Sequence, residues 1–189
     1  MLLEIDRTRT LRGALSGAVA AAVWAASQPL DKAVFRSSYD DVELLGKAVT
    51  RTRAWYPIGL GWHLANGAAF GAVYASTAQM VPLPPPLRGP AAALVEHFAG
   101  WPLGALVDRL HPARDELPTL RHNRVALAQA TWRHLLFGVV LGELERRLNA
   151  TPEPAPPVPD HEHSGNGRVP LEHALAATTA AIEAPGERG

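Results

Sequence analysis

The sequence contains no cysteine, and this absence excludes several kinds of site. A chain without thiols forms no disulfide bond, no cysteine-ligated zinc or iron–sulfur centre and no cysteine nucleophile. Eight histidines are present, and neutral imidazole is a common ligand of metal ions and of haem iron. Any redox group would therefore have to be held by histidine.

An excess of charge of either sign is also missing. Eighteen Lys and Arg balance eighteen Asp and Glu, and 47% of the residues are apolar. This composition excludes a globally basic nucleic-acid-binding protein and an acidic disordered chain. Lysine is scarce, with Lys32 and Lys47 among many arginines, a bias typical of GC-rich bacterial genomes.

The most informative absence is local, because residues 55–87 contain no Asp, Glu, Lys or Arg. About 20 apolar residues cross a bilayer as a helix, and this run is longer. Residues 13–30 form a second uncharged stretch that is just long enough to span, unless it is a cleaved secretory signal. The sequence predicts an all-α integral membrane four-helix bundle. The spans are expected at about residues 11–30, 56–80, 89–109 and 125–145.

Every predicted span contains one Gly-x-x-x-Gly motif. Two glycines at this spacing lie on one helix face and allow another helix backbone to approach closely. These glycines are therefore expected to be helix-packing residues. The pairs are Gly13 and Gly17, Gly67 and Gly71, Gly100 and Gly104, and Gly138 and Gly142.

The second and fourth spans share the phrase H-L-x-x-G-x-x-x-G, which begins at His63 and at His134. A tryptophan precedes each histidine closely, at Trp62 and at Trp132. The repetition predicts two tandem helical hairpins that run in the same direction through the membrane. The two histidines are then expected at similar depth, on the packed faces of their helices.

These motifs resemble the small four-pass bacterial inner-membrane proteins of the YagU-like kind. The resemblance covers about residues 10–148, and the chain departs from the pattern at Glu143 and Glu145. It implies a multi-pass protein of the bacterial inner membrane, a group without an established biochemical activity. The lipid bilayer would be its main partner, with a homo-oligomer or another membrane protein as a further possibility.

Ionisable residues inside the spans are the candidate ligand or proton sites. A charge at membrane depth is costly unless it is paired or faces a cavity. Glu96 and Arg133, in antiparallel spans, are predicted to pair, either as a purely structural ion pair or as part of a site. His63 and His134 either donate hydrogen bonds to backbone carbonyls or share a site for a proton, a metal or a haem. His97, next to Glu96, belongs to the same candidate set.

The predicted domain covers residues 1–148. Two segments outside its expected spans are less informative. Residues 31–53 contain a short helical pattern that fits either an interfacial helix or a solvated loop helix. Residues 149–189 are predicted to be a Pro-rich disordered tail with a possible short helix at 170–183. Within it, the DHEH sequence at 160–163 could bind a metal ion weakly.

Motifs of common enzymes are missing. The sequence has no G-x-S-x-G, no P-loop and no Glu-x-x-His pair in the spans. A structural or small-solute permeability role in the membrane is favoured, with no cofactor expected. The first alternative is a haem-binding, metal-binding or proton-relay protein that uses histidine. The second is a soluble helical-bundle interaction protein, which would need polar helix faces.

Overall fold

The computed structural model describes residues 6–150, and in this part of the chain the fold is all-helical, as predicted. The predicted tail, its short helix and the DHEH sequence lie outside the described residues. The α-helices are α1 (Arg7–Phe35), α2 (Asp41–Lys47), α3 (Trp55–Thr77), α4 (Pro85–Gly100), α5 (Gly104–Leu110) and α6 (Arg124–Leu148). Two 3₁₀ turns follow α3 and α4, at Ala78–Met80 and Trp101–Leu103.

Side-chain caps begin three of the helices. The carboxylate of Asp6 accepts from the backbone N–H groups of Thr8 and Arg9 at the start of α1. Asp40 caps α2 and Asn123 caps α6 in the same way. Each cap satisfies N–H groups that have no partner within the helix.

The long helices form two hairpins. α1 packs against α3, α4 packs against α6, and α1 also packs against α6. Arg51, in the turn of the first hairpin, donates hydrogen bonds to Asp115 and Glu116, in the turn of the second. Both turns therefore lie at the same end of the bundle. Hydrogen bonds from Lys47 and Arg51 lower the pKa of the Glu116 carboxyl below its usual value.

Glycines bring the helices of each hairpin into backbone contact. A methyl group at Gly17 of α1 would overlap the carbonyl oxygen of Gly67 of α3, and one at Gly13 would overlap Ala75 and Gly71. These positions form the α1–α3 contact that the motif predicts. Such contacts require glycine, because no side chain fits between the backbones.

The α4–α6 contact uses a different glycine from the predicted one. Gly138 and Gly142 pack on Gly89 near the start of α4. Apart from its chain neighbours and its own helix backbone, a methyl group at Gly100 would meet no atom of the described chain within 4 Å, so its assignment as a packing residue was wrong. The atoms nearest to a methyl group at Gly104 belong to Leu120 of a loop. The reason is Pro102, which ends α4 as a 3₁₀ turn and takes these glycines off a common helix face.

The chain between α1 and α3 folds back into the bundle. Arg36 ends α1 in the left-handed conformation, with φ at 51°. The following residues then return beside α1, and α2 packs against α3. The first turn of α2 packs against Gly59 of α3, where a methyl group would overlap the carbonyl oxygen of Val42. This re-entrant segment, residues 37–42, brings two aspartates towards the middle of the helices.

Mean hydropathy singles out one described helix. Only α6 (Arg124–Leu148) is long and apolar enough by this measure to cross a membrane, and 44% of its apolar window is buried. A core helix of a soluble protein passes the same test. Helix composition alone therefore leaves the prediction of four spans as a prediction.

Candidate functional site

Arg133 of α6 is fully buried and is held by aspartates of the first hairpin. Its Nε and Nη2 atoms donate to the two carboxylate oxygens of Asp31, each at 2.6 Å. Its Nη1 atom donates to Asp41 at 2.7 Å, and Nη2 also reaches the carbonyl oxygen of Tyr39. The exposed fractions of the Arg133 and Asp31 side chains are 0% and 3%. This is a two-pronged, charge-assisted contact in the interior.

The prediction that Arg133 pairs with Glu96 was therefore wrong. Glu96 contacts His134 instead, and the arginine joins the two hairpins to each other. The predicted pairing considered Glu96 and Arg133 as residues of the two antiparallel spans of the second hairpin. It did not include Asp31, because that residue follows the uncharged stretch, or Asp41, because the re-entrant segment was unforeseen.

The buried aspartates and cations form one network. Asp41 also accepts from the hydroxyl of Tyr39 at 2.6 Å and from the indole Nε1 of Trp24 at 3.2 Å. Lys32 of α1 pairs with Asp40 at 2.5 Å. Three aspartates, Asp31, Asp40 and Asp41, thus face two cations, Arg133 and Lys32. The network has a formal charge of −1.

His63 of α3 is buried and its ring reaches α1. Its Nε2 atom lies 3.2 Å from the carbonyl oxygen of Ala21. Because a carbonyl only accepts, Nε2 carries the proton and donates. The contact is a hydrogen bond between two helices. It is one of the two roles that the sequence left open for His63.

His134 of α6 has an oxygen atom near each ring nitrogen. Its Nδ1 atom lies 2.8 Å from the carbonyl oxygen of Ala130, so Nδ1 donates. Its Nε2 atom lies 3.1 Å from the carboxyl Oε2 of Glu96. The carboxyl group of Glu96 in α4 thus lies beside the imidazole of His134 in α6.

His97 of α4 completes the group of histidines. Thr131 donates its hydroxyl to the carbonyl oxygen of Leu127, so this hydroxyl accepts from His97 Nε2 at 2.9 Å. The rings of His97 and His134 are 4.4 Å apart between centroids and tilted by 32°. The imidazole of His97 thus lies against that of His134 in the core of the second hairpin.

Trp24 of α1 contacts the imidazoles of His63 and His134. The centroid distances are 5.1 Å and 4.6 Å, in edge-to-face arrangements. Their common neighbour places the two histidines at a similar level along the bundle. Residues 6–150 contain no group of three His, Cys, Asp or Glu side chains that could hold a metal ion.

A cavity of about 530 Å³, here called the groove, lies beside these histidines. Trp24, Phe70 and Phe137 supply aromatic walls, and His63 and His134 contribute imidazoles. Two carboxylate residues, Asp41 and Glu96, also line it, and no Lys or Arg of the described chain does. The remaining lining residues are Ala21, Leu44, Leu45, Asn66, Gly67, Ala69 and Val73. The groove is thus largely apolar and aromatic, with acidic groups in its wall.

Sequence reasoning identified five of the ionisable site residues but missed Trp24, Asp31 and Asp41. One signal could have found the aspartates. A buried arginine needs a carboxylate partner, and Asp40 and Asp41 form an acidic pair that follows an aromatic residue directly. Comparison of the chain with protein-family models, with curated proteins and with solved structures found no match.

Proposed function

We propose that the protein is a multi-pass membrane protein whose two hairpins bind a small, mainly apolar molecule in the groove between them. The proposal rests on an inside-out distribution of residues. The interior is rich in small and polar residues such as Gly17, Ser16, Gln129 and Arg133. Large apolar side chains point outwards, which suits a bilayer and not water.

The outward apolar residues lie on all four long helices. A single protein partner would cover one face only, whereas a bilayer surrounds every helix. Their distribution therefore favours lipid as the surrounding medium. They include Leu11, Leu15, Val19 and Val23 of α1, Trp62 and Val73 of α3, Val95 and Phe98 of α4, and Trp132, Leu135 and Val139 of α6.

Charged residues support the same arrangement. In α1, α3, α4 and α6 they lie within about six residues of a helix end, apart from Arg133. Arg133 is buried and paired, so its cost at membrane depth is offset. Glu96 lies beside His134 in the middle part of α6, 55% of its side chain is exposed, and it lines the groove. A largely exposed carboxyl group at this level of the bundle favours a functional site.

The groove has the size and lining of a small-molecule site. Ligand pockets usually measure about 300–1,000 Å³ and combine apolar walls with a few polar groups. The groove reaches exposed residues of α3, Ala69 and Val73, and Glu96 of α4. A molecule dissolved in the bilayer could therefore enter sideways. These features favour binding or passage of a small solute over a purely structural role.

Indole, a neutral aromatic molecule that dissolves in water, is a suitable probe of the groove. We expect it to raise the midpoint of thermal unfolding of the protein in lipid nanodiscs, because a ligand that binds only the folded state stabilises it. Ala69→Trp should abolish this rise, since the new ring fills the groove. Ala65→Trp, on an exposed position of the same helix outside the lining, is the matched control.

The results for the wild type and the two variants are interpreted together. A rise in the wild type and in Ala65→Trp but not in Ala69→Trp supports the groove as a binding site. An equal change in all three would mean that indole acts through the bilayer, and the proposal would then be wrong.

A further inference from the structure

We propose that the groove binds a small aromatic amine as its ammonium ion, which donates hydrogen bonds to Glu96 and His134. This inference rests on the proposed function, because it concerns the same groove, and it names the class of ligand. It follows from the polar atoms of the lining, which the size of the groove does not determine.

Several polar groups of the lining are already satisfied within the protein. Asp41 accepts hydrogen bonds from Arg133 and from the hydroxyl of Tyr39. It also accepts from the indole Nε1 of Trp24, and this contact uses the N–H group of that ring. His63 donates from Nε2 to a backbone carbonyl of α1. These atoms need no ligand.

The remaining polar groups of the lining are mainly acceptors. His63 and His134 each donate from one ring nitrogen to a backbone carbonyl, so the other nitrogen of a neutral imidazole accepts. An ionised carboxylate, as at Glu96, also only accepts. Asn66, the other polar side chain of the lining, can donate as well as accept. A ligand that donates hydrogen bonds is therefore favoured over one that only accepts them.

Glu96 and His134 bring two of these acceptors together. The carboxyl Oε2 of Glu96 lies 3.1 Å from Nε2 of His134, and the contact lacks hydrogen-bond geometry. One donor group is therefore able to reach both atoms. An ammonium group is suited to this place, because it carries three N–H donors and no acceptor. The carboxyl group is accessible to it, since Glu96 is half-exposed and lines the groove.

The charge of the lining favours a cation as the donor. No Lys or Arg of residues 6–150 lines the groove or pairs with Glu96. Arg133 and Lys32, the cations of the neighbouring network, are paired with its three aspartates. A hydrogen bond between charged groups is about twice as strong as one between neutral groups. An ammonium ion is therefore expected to bind more tightly than a neutral N–H donor.

The walls of the groove determine the rest of the ligand. Trp24, Phe70 and Phe137 line it with aromatic rings, on which another ring packs well. The faces of such rings also attract a cation. With a volume of about 530 Å³, the groove has room for a small aromatic amine.

Three probes of similar size test the inference. 2-Phenylethylamine is an ammonium ion at about pH 7.5. Its N,N,N-trimethyl derivative keeps the positive charge but has no N–H donor, and 3-phenylpropanoate is negatively charged. Dissociation constants would be obtained from the rise in the midpoint of thermal unfolding with probe concentration, in phosphatidylcholine nanodiscs. Ala69→Trp, which fills the groove, measures any effect of the probes through the bilayer.

2-Phenylethylamine is expected to bind the wild type about tenfold more tightly than either other probe, because it alone is a positively charged donor. Glu96→Gln should weaken its binding about tenfold, to near that of the trimethyl derivative. Glu143→Gln, which removes an exposed carboxylate paired with Arg146 and Arg147, should bind as the wild type. Indole should still stabilise Glu96→Gln, which would show that its groove is intact.

The comparison of the three probes in the wild type depends on no variant. If the trimethyl derivative binds as tightly as 2-phenylethylamine, no donor is recognised and the inference is wrong. Equal binding of 3-phenylpropanoate, or unchanged binding in Glu96→Gln, would overturn it as well. If indole stabilises the wild type and none of the three probes does, the inference fails while the proposed function stands. If indole fails too, both are wrong.

Discussion

Replacing Arg133 with glutamine is expected to lower the free energy of unfolding by about 3–5 kcal/mol. The substitution leaves Asp31 and Asp41 buried without their cation, and an uncompensated buried charge costs far more than an exposed one. It also removes the polar link between the two hairpins, since these aspartates lie in or next to the first hairpin and Arg133 in the second. A reversible titration with sodium dodecyl sulfate in mixed micelles would measure the loss.

Two double variants identify the partner of Arg133. Asp31→Asn combined with Arg133→Gln should be clearly milder than the sum of the single losses, because the residues contact each other directly. Glu96→Gln combined with Arg133→Gln should be close to additive, because Glu96 contacts His134. The reverse pattern would contradict the buried network described here.

Alanine at Gly17 or Gly89 is expected to destabilise the bundle by about 1–3 kcal/mol, the usual cost of overpacking. A methyl group at Gly17 overlaps the carbonyl oxygen of Gly67, and one at Gly89 overlaps the carbonyl oxygen of Gly138. In both places the overlapping atom belongs to the backbone, which cannot relieve the overlap by a rotamer change as a side chain can. The midpoint of thermal unfolding in detergent would record the effect.

Two other glycines provide the matched controls. Apart from its chain neighbours and its own helix backbone, a methyl group at Gly61 or Gly100 meets no atom of the described chain within 4 Å. Because alanine is the better helix former by about 1 kcal/mol, Gly61→Ala and Gly100→Ala should leave the midpoint unchanged or raise it. Equal losses at all four positions would mean that the close helix contacts are not formed.

The sequence was sufficient to predict an all-helical fold of the described residues and the α1–α3 contact, because both depend on local patterns. An uncharged run and a Gly-x-x-x-Gly spacing describe one helix at a time, and Gly17 and Gly67 meet as that spacing suggests. The same rule failed at Gly100, where Pro102 changes the helix type within the expected span. A Gly-x-x-x-Gly spacing places two glycines on one helix face only if the same α-helix continues through both positions.

The partners in the site could not be predicted in the same way. Arg133 and Asp31 are separated by 102 positions in the sequence, and their contact depends on how two hairpins meet. Asp41 reaches the network only because Arg36 reverses the chain and the re-entrant segment returns into the bundle. The contact between Glu96 and His134 follows from the α4–α6 packing through Gly89, which the motif did not include.

The absence of cysteine makes a direct test of the membrane proposal possible, because any introduced cysteine is a unique attachment site. Spin labels would be placed at Leu15, Val95 and Val139, which are exposed positions on α1, α4 and α6. Thr52, in the turn between α2 and α3, serves as the aqueous control. The protein would be reconstituted in a bilayer and studied by electron paramagnetic resonance.

The measurement compares collisions of each label with oxygen, which concentrates in lipid, and with a water-soluble nickel chelate. Labels at the three helix positions are expected to collide mainly with oxygen, and the label at Thr52 mainly with the chelate. If the chelate reaches the helix positions as readily as Thr52, the apolar outer surface faces water and the membrane proposal is wrong.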